Sequence, residues 1–368
     1  MIYVEKLIET LKKNKVNFFT GVPDSVLKAL SVYLENKKNH LVAVNEGSAV
    51  SHGVGYFLST KKIPCIYMQN SGLGNAVNPL TSIAHFKVYS IPMILIIGWR
   101  GAPKTNDEPQ HEVKGKITKD LLKIMNIDYC ELNVQKDLKK VSTLLKKAKS
   151  KSKPVAILIK NKKLISKYKR KFSIRINPKL PYRKNIILNI LKIIKKNSLI
   201  LSSTGFTSRE LHMIRSKNNL SNGKDFYMVG GMGHTGSVSL ATSLFKKNKQ
   251  VICLDGDGSV LMHMGSLATI GINAKKNFKH VLFNNNSHES VGNQKTDAFK
   301  INFSKLSKSI GYKNYFLIDN KNLINSKLNK FINSTGPSFL EIKINSGTLE
   351  KLSRPSNFKL IKNNFINS

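Results

Sequence analysis

The sequence predicts an α/β protein made of two doubly wound domains, each built on a mostly parallel sheet. Three observations lead to this prediction. The length of 368 residues fits two domains at about 100–200 residues each. Apolar runs of strand length alternate with longer segments of helical periodicity in both halves of the chain. Polar and glycine-rich strings follow several of these runs, at the edge where open parallel sheets bind ligands, which indicates an enzyme.

The first half alternates helix and strand patterns in the order expected of a parallel sheet. Val4, Leu7, Ile8 and Leu11 recur at helical spacing and predict a first helix over 4–15. Further helices are expected over 24–35 and 46–58, and strands over 63–68, 93–98 and 154–160. The rhythm ends in a basic, poorly periodic segment, where we expect a domain boundary.

The second half repeats the same rhythm. Strands are expected over 199–203, 251–254, 280–283, 315–318 and 338–344, and helices over 237–245 and 261–274. The predicted organisation is therefore an N-terminal domain at 1–165, a basic linker at 166–184 and a C-terminal domain at 185–368.

Charge is the most unusual feature of the composition. The chain has 61 Lys and Arg residues against 21 Asp and Glu residues, a formal net charge of +40. Such a charge would suit a nucleic acid or an anionic membrane. The lysines are spread over the whole chain, however, and no RNP-like or zinc-finger pattern accompanies them. We therefore expect no nucleic-acid partner, and a nucleic-acid-binding protein is the alternative from another functional class.

The rest of the composition is that of an ordinary globular protein. Hydrophobic residues make up 40% of the chain, which excludes a wholly disordered protein. No apolar run approaches the roughly 18 residues that a membrane span needs, and the first residues lack the apolar core of a signal peptide. Cys65, Cys130 and Cys253 have neither disulfide-framework nor zinc-ligand spacing. We expect a soluble cytoplasmic protein with three free thiols and no membrane partner.

The strongest chemical signal is a pair of strings that follow two predicted strands. Asp257 lies in a Gly-Asp-Gly turn after an apolar run, and Asn284 and Asn285 follow the next strand. A carboxylate and a side-chain amide are hard oxygen ligands that suit Mg²⁺. Two ordinary turns are the alternative, because Gly, Asp and Asn are common turn residues. The combination at this separation favours a magnesium site.

This arrangement resembles the diphosphate-binding motif of thiamine-diphosphate enzymes. The resemblance implies that Asp257 and Asn285 supply oxygens to Mg²⁺ and that the Ser287 carbonyl is the third protein ligand. It also implies that Met232 supports the bent cofactor, with Gly233 and His234 near the phosphates. The full set of cofactor contacts expected in this half is Thr204, Gly205, Met232, Gly233, His234, Gly256, Asp257, Gly258, Ser259 and Asn285.

One carboxylate in the first half completes the expected site. Glu46 follows an apolar run and begins a predicted helix, where the helix dipole alone favours an acidic residue. In the enzymes that the sequence resembles, a glutamate at this position protonates the aminopyrimidine ring of the cofactor. The resemblance further implies a cofactor held between the first domain of one subunit and the second domain of another. A homodimer or larger homo-oligomer is therefore expected.

Longer strings narrow the resemblance to the phosphonopyruvate decarboxylase family. The strings are 21–25 (GVPDS), 67–75 (YMQNSGLGN), 97–101 (IGWRG), 107–111 (DEPQH) and 287–292 (SHESVG). The family likeness implies thiamine-diphosphate- and Mg²⁺-dependent decarboxylation of 3-phosphonopyruvate, a small anionic 2-oxo acid, to phosphonoacetaldehyde and CO₂ in phosphonate biosynthesis. Sulfopyruvate decarboxylase, or another 2-oxo acid decarboxylase of the same fold, is the alternative. An inactive homologue is disfavoured because the glutamate and both metal-binding side chains are present.

The same resemblance assigns roles to other polar residues. His111, His288 and Glu289 are candidates for moving protons or contacting the substrate. Gln69 and Asn70 are expected near the pyrimidine ring of the cofactor. Candidate substrate contacts are Asp24, Ser25, Asn70, Ser71, Gln110 and His111. Taken singly, each is equally explained as an ordinary loop residue, so these assignments rank below the metal and glutamate assignments.

Overall fold

The chain forms two compact units. The structure is a computed structural model that describes residues 1–168, 176–218, 224–348 and 352–368. One unit comprises Met1–Phe172 and Val291–Gln294, and the other comprises Ser173–Ser290 and Lys295–Ser368. Part of the predicted linker, 169–175, lies outside the described residues.

The first unit is built on a six-stranded parallel sheet. The unit has eight strands among its described residues, six of them in this sheet: β1 (Ile2–Tyr3), β2 (Phe19–Gly21), β3 (His40–Val42), β4 (Cys65–Gln69), β5 (Ile94–Trp99), β6 (Asp128–Leu132), β7 (Val155–Lys160) and β8 (Leu164–Ile165). Its helices are α1 (Val4–Lys13), α2 (Lys28–Leu34), α3 (Glu46–Thr60), α4 (Leu73–Ser82), α5 (Pro109–Ile124) and α6 (Leu138–Lys151). The sheet order is β3-β2-β4-β5-β7-β6, and β1 pairs separately with β8.

Burial explains why these segments adopt this arrangement. The four apolar positions of α1 are all buried, as its helical spacing predicts. Every residue of β5 is buried, because this central strand is covered on both faces of the sheet. At the start of α3, the Asn45 Oδ1 accepts the Ser48 N–H at 2.8 Å and caps the helix. The cap fixes the point at which Glu46 enters the helix.

The second unit repeats this architecture. The strands after residue 176 are β9 (Leu199–Ser202), β10 (Asp225–Tyr227), β11 (Val251–Gly256), β12 (Phe278–Asn284), β13 (Ser287–His288), β14 (Gln294–Lys295), β15 (Asn314–Ile318) and β16 (Ser338–Lys343). The helices are α7 (Arg183–Ile193), α8 (Phe206–Lys217), α9 (Thr235–Phe245), α10 (Asp257–Met262), α11 (Ser266–Asn273), α12 (Phe303–Ser309), α13 (Ile324–Asn333) and α14 (Phe358–Ile366). The main sheet has the order β10-β9-β11-β12-β16-β15, and all its pairings are parallel.

The predicted fold class is confirmed, while two predicted helices differ from the structure. The helix expected over 24–35 begins only at Lys28, because the Asp24 carboxylate accepts the Val26 and Leu27 N–H groups and holds a turn. The helix expected over 261–274 is two helices, since His263 leaves the helical conformation after α10.

Several strands escaped the sequence patterns, including the edge strands β6 and β10 and the short interior strand β2. Strands β6 and β10 lie at the margins of their sheets, where polar residues replace the continuous apolar run of a central strand. The three cysteines are free, with Cys65 and Cys253 buried and Cys130 half-buried, as expected. Among the described residues, no helix combines the length and apolar character that a membrane crossing requires.

Candidate active site

The second unit places a buried carboxylate at the carboxyl edge of its sheet. Asp257 follows β11 directly and is the first residue of α10. Its Oδ1 accepts the Gly258 N–H at 2.8 Å, and its Oδ2 accepts the Ser287 N–H at 3.1 Å and the Thr296 hydroxyl at 2.8 Å. Burial raises the pKa of Asp257 to about 6, although these hydrogen bonds act to lower it. All three donors are neutral, so a bound cation would relieve the cost of the buried charge.

Asn285 joins this carboxylate from the neighbouring strand. Residues Gly256 and Phe283 are partners in the parallel register of β11 and β12, so the chain ends of these strands lie side by side. The Ser287 N–H, which reaches Asp257, also donates to Asn285 Oδ1 at 3.1 Å. The structure therefore brings together Asp257, Asn285 and Ser287, the three predicted metal ligands. An oxygen-rich set of this kind fits Mg²⁺.

The other predicted asparagine has a different environment. The Asn284 side chain is buried within the sheet and donates to Glu341 Oε1 at 2.9 Å. This contact lies on strand β16, away from the Asp257 carboxylate. Of the two consecutive asparagines, Asn285 is thus the one that faces the candidate metal site.

Several predicted cofactor contacts lie around the start of α10. A Cβ atom on Gly258 would come within 2.8 Å of the His288 ring and 3.4 Å of the Met232 methyl group, so a larger residue would collide there. The Gly233 N–H donates to the Ser259 hydroxyl at 3.2 Å. The loop before α9 is therefore held against α10.

Two histidines stack beside this loop, and a third lies close to Gly258. The exposed His234 stacks on His263, with 4.5 Å between the ring centroids. Burial lowers the pKa of His263, and the neighbouring His234 adds to the effect. Burial also lowers the pKa of His288 to about 4, so this ring is neutral at pH 7.

The start of α8 supplies a further edge of the candidate site. Thr204 and Gly205 follow β9, and Gly205 is the residue that precedes the first turn of the 12-residue helix α8. A glycine offers no side chain to cap the helix, and the Ser208 N–H is accepted by the Ser203 carbonyl at 3.2 Å. Among the described bonds, the Phe206 and Thr207 N–H groups are left for another acceptor. An anion is the kind of ligand that suits this position.

Glu289 occupies a buried network of hydrogen bonds. Its Oε2 accepts Arg183 Nη1 at 3.1 Å, Arg183 Nη2 at 3.2 Å and Asn285 Nδ2 at 3.0 Å. Its Oε1 accepts the Gly347 N–H, while Arg183 Nε also donates to Glu210 at 2.9 Å. Sequence reasoning missed Arg183 and Glu210, because no local pattern links positions this far apart.

In the first unit, Glu46 lies buried at the start of α3. Its Oε2 accepts Asn75 Nδ2 at 2.8 Å. A Cβ atom on Gly72 would lie only 2.1 Å from Glu46 Oε1, so the glycine leaves the space that the carboxylate occupies. The turn after β4 therefore positions the predicted proton-transfer residue.

A second cluster in this unit joins Asp24 to the end of β4. Gln69 Nε2 donates to Asp24 Oδ1 at 2.5 Å, and the Ser71 hydroxyl donates to Gln69 Oε1 at 2.8 Å. Burial raises the pKa of Asp24, although hydrogen bonds and Arg100 oppose the shift. The Ser25 hydroxyl accepts Arg100 Nη1 at 3.1 Å. The structure thus groups four of the predicted substrate or cofactor contacts.

Asn70 is bonded to its own chain at both ends of its amide. Its Nδ2 donates to the Arg100 carbonyl and the Thr118 hydroxyl, each at 2.9 Å. Its Oδ1 accepts the Arg100 N–H at 3.0 Å. The side chain therefore ties the turn after β4 to the turn after β5 and to α5.

Arg100 organises the remaining predicted residues of this unit. Its guanidinium pairs with Asp107 at 2.5 Å and with Glu108 at 3.3 Å. Gln110 Nε2 donates to Glu108 Oε2. Burial, and next the charge of Arg100, lower the pKa of His111 to about 4, so this histidine is also neutral at pH 7.

Comparisons with known proteins identify the family of this chain. Residues 1–124 match the family described as thiamine pyrophosphate enzyme, N-terminal TPP binding domain, and residues 203–342 match its C-terminal TPP binding domain. Phosphonopyruvate decarboxylase from Streptomyces viridochromogenes is 30% identical over 372 aligned residues, covering 96% of this chain and 91% of the relative.

Other relatives carry a related name. Sulfopyruvate decarboxylase from Methanosarcina acetivorans is 24% identical, covering 93% of this chain and 91% of the relative. The beta subunit of sulfopyruvate decarboxylase from Methanocaldococcus jannaschii is 38% identical over 132 residues, which are 36% of this chain and 67% of that subunit. These matches confirm the resemblance drawn from the sequence motifs.

Proposed function

Since the chain belongs to the phosphonopyruvate decarboxylase family of thiamine pyrophosphate enzymes, we propose that it converts 3-phosphonopyruvate to phosphonoacetaldehyde and CO₂. The observation that carries the proposal is the buried Asp257 carboxylate, which lies beside Asn285 and Ser287 and has only neutral donors among its described hydrogen bonds. Phosphonate biosynthesis is the pathway that this product would serve.

The residues around Asp257 in the second unit fit Mg²⁺ and a diphosphate. Asp257, the Asn285 side-chain oxygen and the Ser287 carbonyl would hold the ion, whose remaining ligands would be phosphate oxygens and water. The backbone N–H groups near Gly258, Ser259 and the start of α8 would face the diphosphate. Candidate contacts around it are Thr204, Gly205, Met232, Gly233, His234 and Gly256. When bound, the thiazolium ring of the cofactor supplies the electron sink for loss of CO₂.

The residues of the first unit would hold and move protons. We assign Glu46 to the proton on the aminopyrimidine ring, because its buried carboxylate is positioned by Asn75 and by the space at Gly72. His111 of this unit and His288 of the second unit are neutral at pH 7, so each can donate an N–H or accept a hydrogen bond there without bringing a charge. The substrate-facing candidates remain Asp24, Ser25, Ser71, Gln110 and His111, with Gln69 beside the pyrimidine ring. The amide of Asn70, the sixth predicted contact, is bonded to Arg100 and Thr118 instead.

The domain and assembly assignments are part of the same proposal. We assign pyrimidine binding to 1–165 and diphosphate and Mg²⁺ binding to 185–368, joined by the basic segment 166–184. A homodimer or larger homo-oligomer is proposed, with mass measured by light scattering as its test. A cytoplasmic location stays a prediction from the sequence, for which cell fractionation is the test.

The decisive experiment measures CO₂ release by the purified protein with thiamine diphosphate and Mg²⁺. Phosphonopyruvate, sulfopyruvate and pyruvate are offered in parallel, and aldehyde formation is followed with a coupled reductase. Preference for phosphonopyruvate is expected. Preference for sulfopyruvate would transfer the assignment to the second candidate, which the 24% identity to the Methanosarcina acetivorans enzyme supports. No CO₂ from any of the three, with cofactor bound, would overturn the substrate assignment.

A further inference from the structure

We infer that Glu289 and Arg183 are positioning residues that fix which end of the Asn285 amide faces the candidate metal site. This inference rests on the proposed function, because it concerns the same Mg²⁺ site. It changes the expected role of Glu289 from moving protons to orienting a ligand.

The geometry begins with the four bonds that occupy the Glu289 carboxylate. Both Nη atoms of Arg183 and the Asn285 Nδ2 donate to Oε2, and the Gly347 N–H donates to Oε1. The Glu289 side chain is only 8% exposed and that of Arg183 only 6%. A carboxylate that is buried and bonded on both oxygens is poorly placed to exchange protons with a substrate.

The chemistry of the two side chains decides the orientation of the amide. An ionised carboxylate only accepts hydrogen bonds, whereas an amide has a donating end and an accepting end. The Asn285 NH₂ group must therefore face Glu289, which turns Oδ1 toward the Ser287 N–H and the Asp257 side of the site. Mg²⁺ needs the oxygen end of the amide. A flipped amide would instead place its oxygen next to the Glu289 carboxylate, where the two acceptors repel each other, and would present its NH₂ group to the ion.

Arg183 pairs with Glu289 and with a second buried carboxylate, Glu210. Its Nε bonds Glu210 at 2.9 Å, so one guanidinium joins two buried carboxylates that would otherwise repel each other. Burial raises the pKa of Glu210, and the charge of Arg183 opposes that shift most strongly. Removing one member of a buried pair leaves an uncompensated charge, so the three residues act together. Helix α7, which begins at Arg183, thereby supports a metal ligand more than 100 residues away in sequence.

The test measures metal binding directly on the full-length protein. Mn²⁺ replaces Mg²⁺, and free Mn²⁺ is titrated by electron paramagnetic resonance in the presence of thiamine diphosphate. Glu289→Gln keeps the shape of the side chain but turns one acceptor into an NH₂ group that must face a donor. We expect Mn²⁺ to bind about 10- to 100-fold more weakly, the usual cost of losing a partner that orients a ligand. Arg183→Lys, which keeps the positive charge, should weaken Mn²⁺ binding in the same direction by a smaller factor.

A matched control separates positioning from general loss of stability. Arg215 and Asp225 form another buried pair in the same unit, with bonds of 2.7 and 2.8 Å, and Asp225 also accepts the Tyr227 hydroxyl. Asp225→Asn should lower the thermal unfolding temperature and leave the Mn²⁺ dissociation constant unchanged. Equal losses of Mn²⁺ affinity in the Asp225 and Glu289 variants would overturn the inference.

Two further outcomes are distinguishable. Unchanged Mn²⁺ affinity in Glu289→Gln, with or without loss of turnover, would overturn the positioning role, and with loss of turnover it would restore Glu289 to proton transfer. If the wild-type protein bound no Mn²⁺ with thiamine diphosphate, the proposed function itself would fail. If Glu289→Gln does not fold, the smaller change Arg183→Lys decides the question by the same titration.

Discussion

The two units share one strand order but use the same edge of the sheet for different chemistry. Counted along the chain, both main sheets have the order 2-1-3-4-6-5. After the third and fourth strands, the first unit carries Gln69 and Arg100, whose bonds to Asp24 and Asp107 satisfy them within the unit. The second unit carries Asp257 and Asn285 there, and the carboxylate receives only neutral donors among its described bonds. The shared topology places polar side chains at the carboxyl edge of each sheet. The charges of those side chains then determine whether the edge favours a bound cation.

The largest effect is expected at the carboxylate that the first unit contributes. Glu46→Gln should leave the fold intact but lower kcat by about 100- to 10,000-fold, the usual contribution of a positioned acid or base. Steady-state rates with thiamine diphosphate and Mg²⁺ check this.

Glu112→Gln is the matched control for that change. Glu112 is exposed on α5 and pairs with Lys116 at 2.8 Å, so its loss should leave the rate near normal. Near-normal rates for Glu46→Gln as well would remove Glu46 from proton transfer and break the proposed division of roles between the units.

The next largest effect concerns cofactor binding in the second unit. Asp257→Asn keeps the size of the side chain but removes its charge, so Mg²⁺ and thiamine diphosphate should bind at least about 100-fold more weakly. Calorimetric titration of the full chain measures this. The matching change in the first unit, Asp24→Asn, should affect metal binding far less. Unchanged cofactor affinity in Asp257→Asn would contradict the metal assignment.

The pH dependence of stability tests whether the second unit holds an uncompensated buried carboxylate. The pKa of Asp257 is raised by burial to about 6, so between about pH 4 and 6 it is protonated in the folded protein and ionised in the unfolded chain. The folded state then binds more protons, and the free energy of unfolding of the metal-free protein falls as pH rises through this window. The loss approaches about 3 kcal/mol and levels off above pH 6.

Asp24 and Glu210 have raised pKa values too, so the wild-type slope contains all three carboxylates. Urea unfolding of the wild type and Asp257→Asn at several pH values isolates the Asp257 part by difference. An identical pH slope in the two proteins would show that Asp257 is not the buried charge that the cation neutralises.

The sequence was most informative where the chemistry is local. Asp257 and Asn285 end adjacent strands, so a short motif predicts that they meet, and the parallel register places them together. The Arg183–Glu289 pair could not be found this way, because it depends on how α7 packs against a distant turn. The side-chain bonds of a turn residue are equally hidden. Nothing in the string around Asn70 tells whether its amide faces a ligand or the backbone of the next strand.

The same limit applies to secondary structure. Central strands such as β5 are continuous apolar runs and were predicted within a residue or two. The start of α2 was misplaced because the Asp24 side chain competes with the helix for backbone N–H groups. The missed strands β2, β6 and β10 are short or polar, and the helix errors fall on an end and a break, where tertiary contacts outweigh local preference.

The smallest effect on cofactor binding is expected for a change at Asn70, which should act on stability instead. Its three hydrogen bonds link two turns of the first unit. Asn70→Ala would leave the Arg100 N–H and carbonyl without their partner, so the free energy of unfolding should fall by about 1–3 kcal/mol. Asn78→Ala, on the exposed face of α4, is the control and should change stability little. Urea unfolding of both variants measures the difference. If Asn70→Ala kept its stability but raised KM, the Asn70 amide would face a ligand. The polar groups at this edge of the first unit would then not all have their hydrogen-bond partners within the unit.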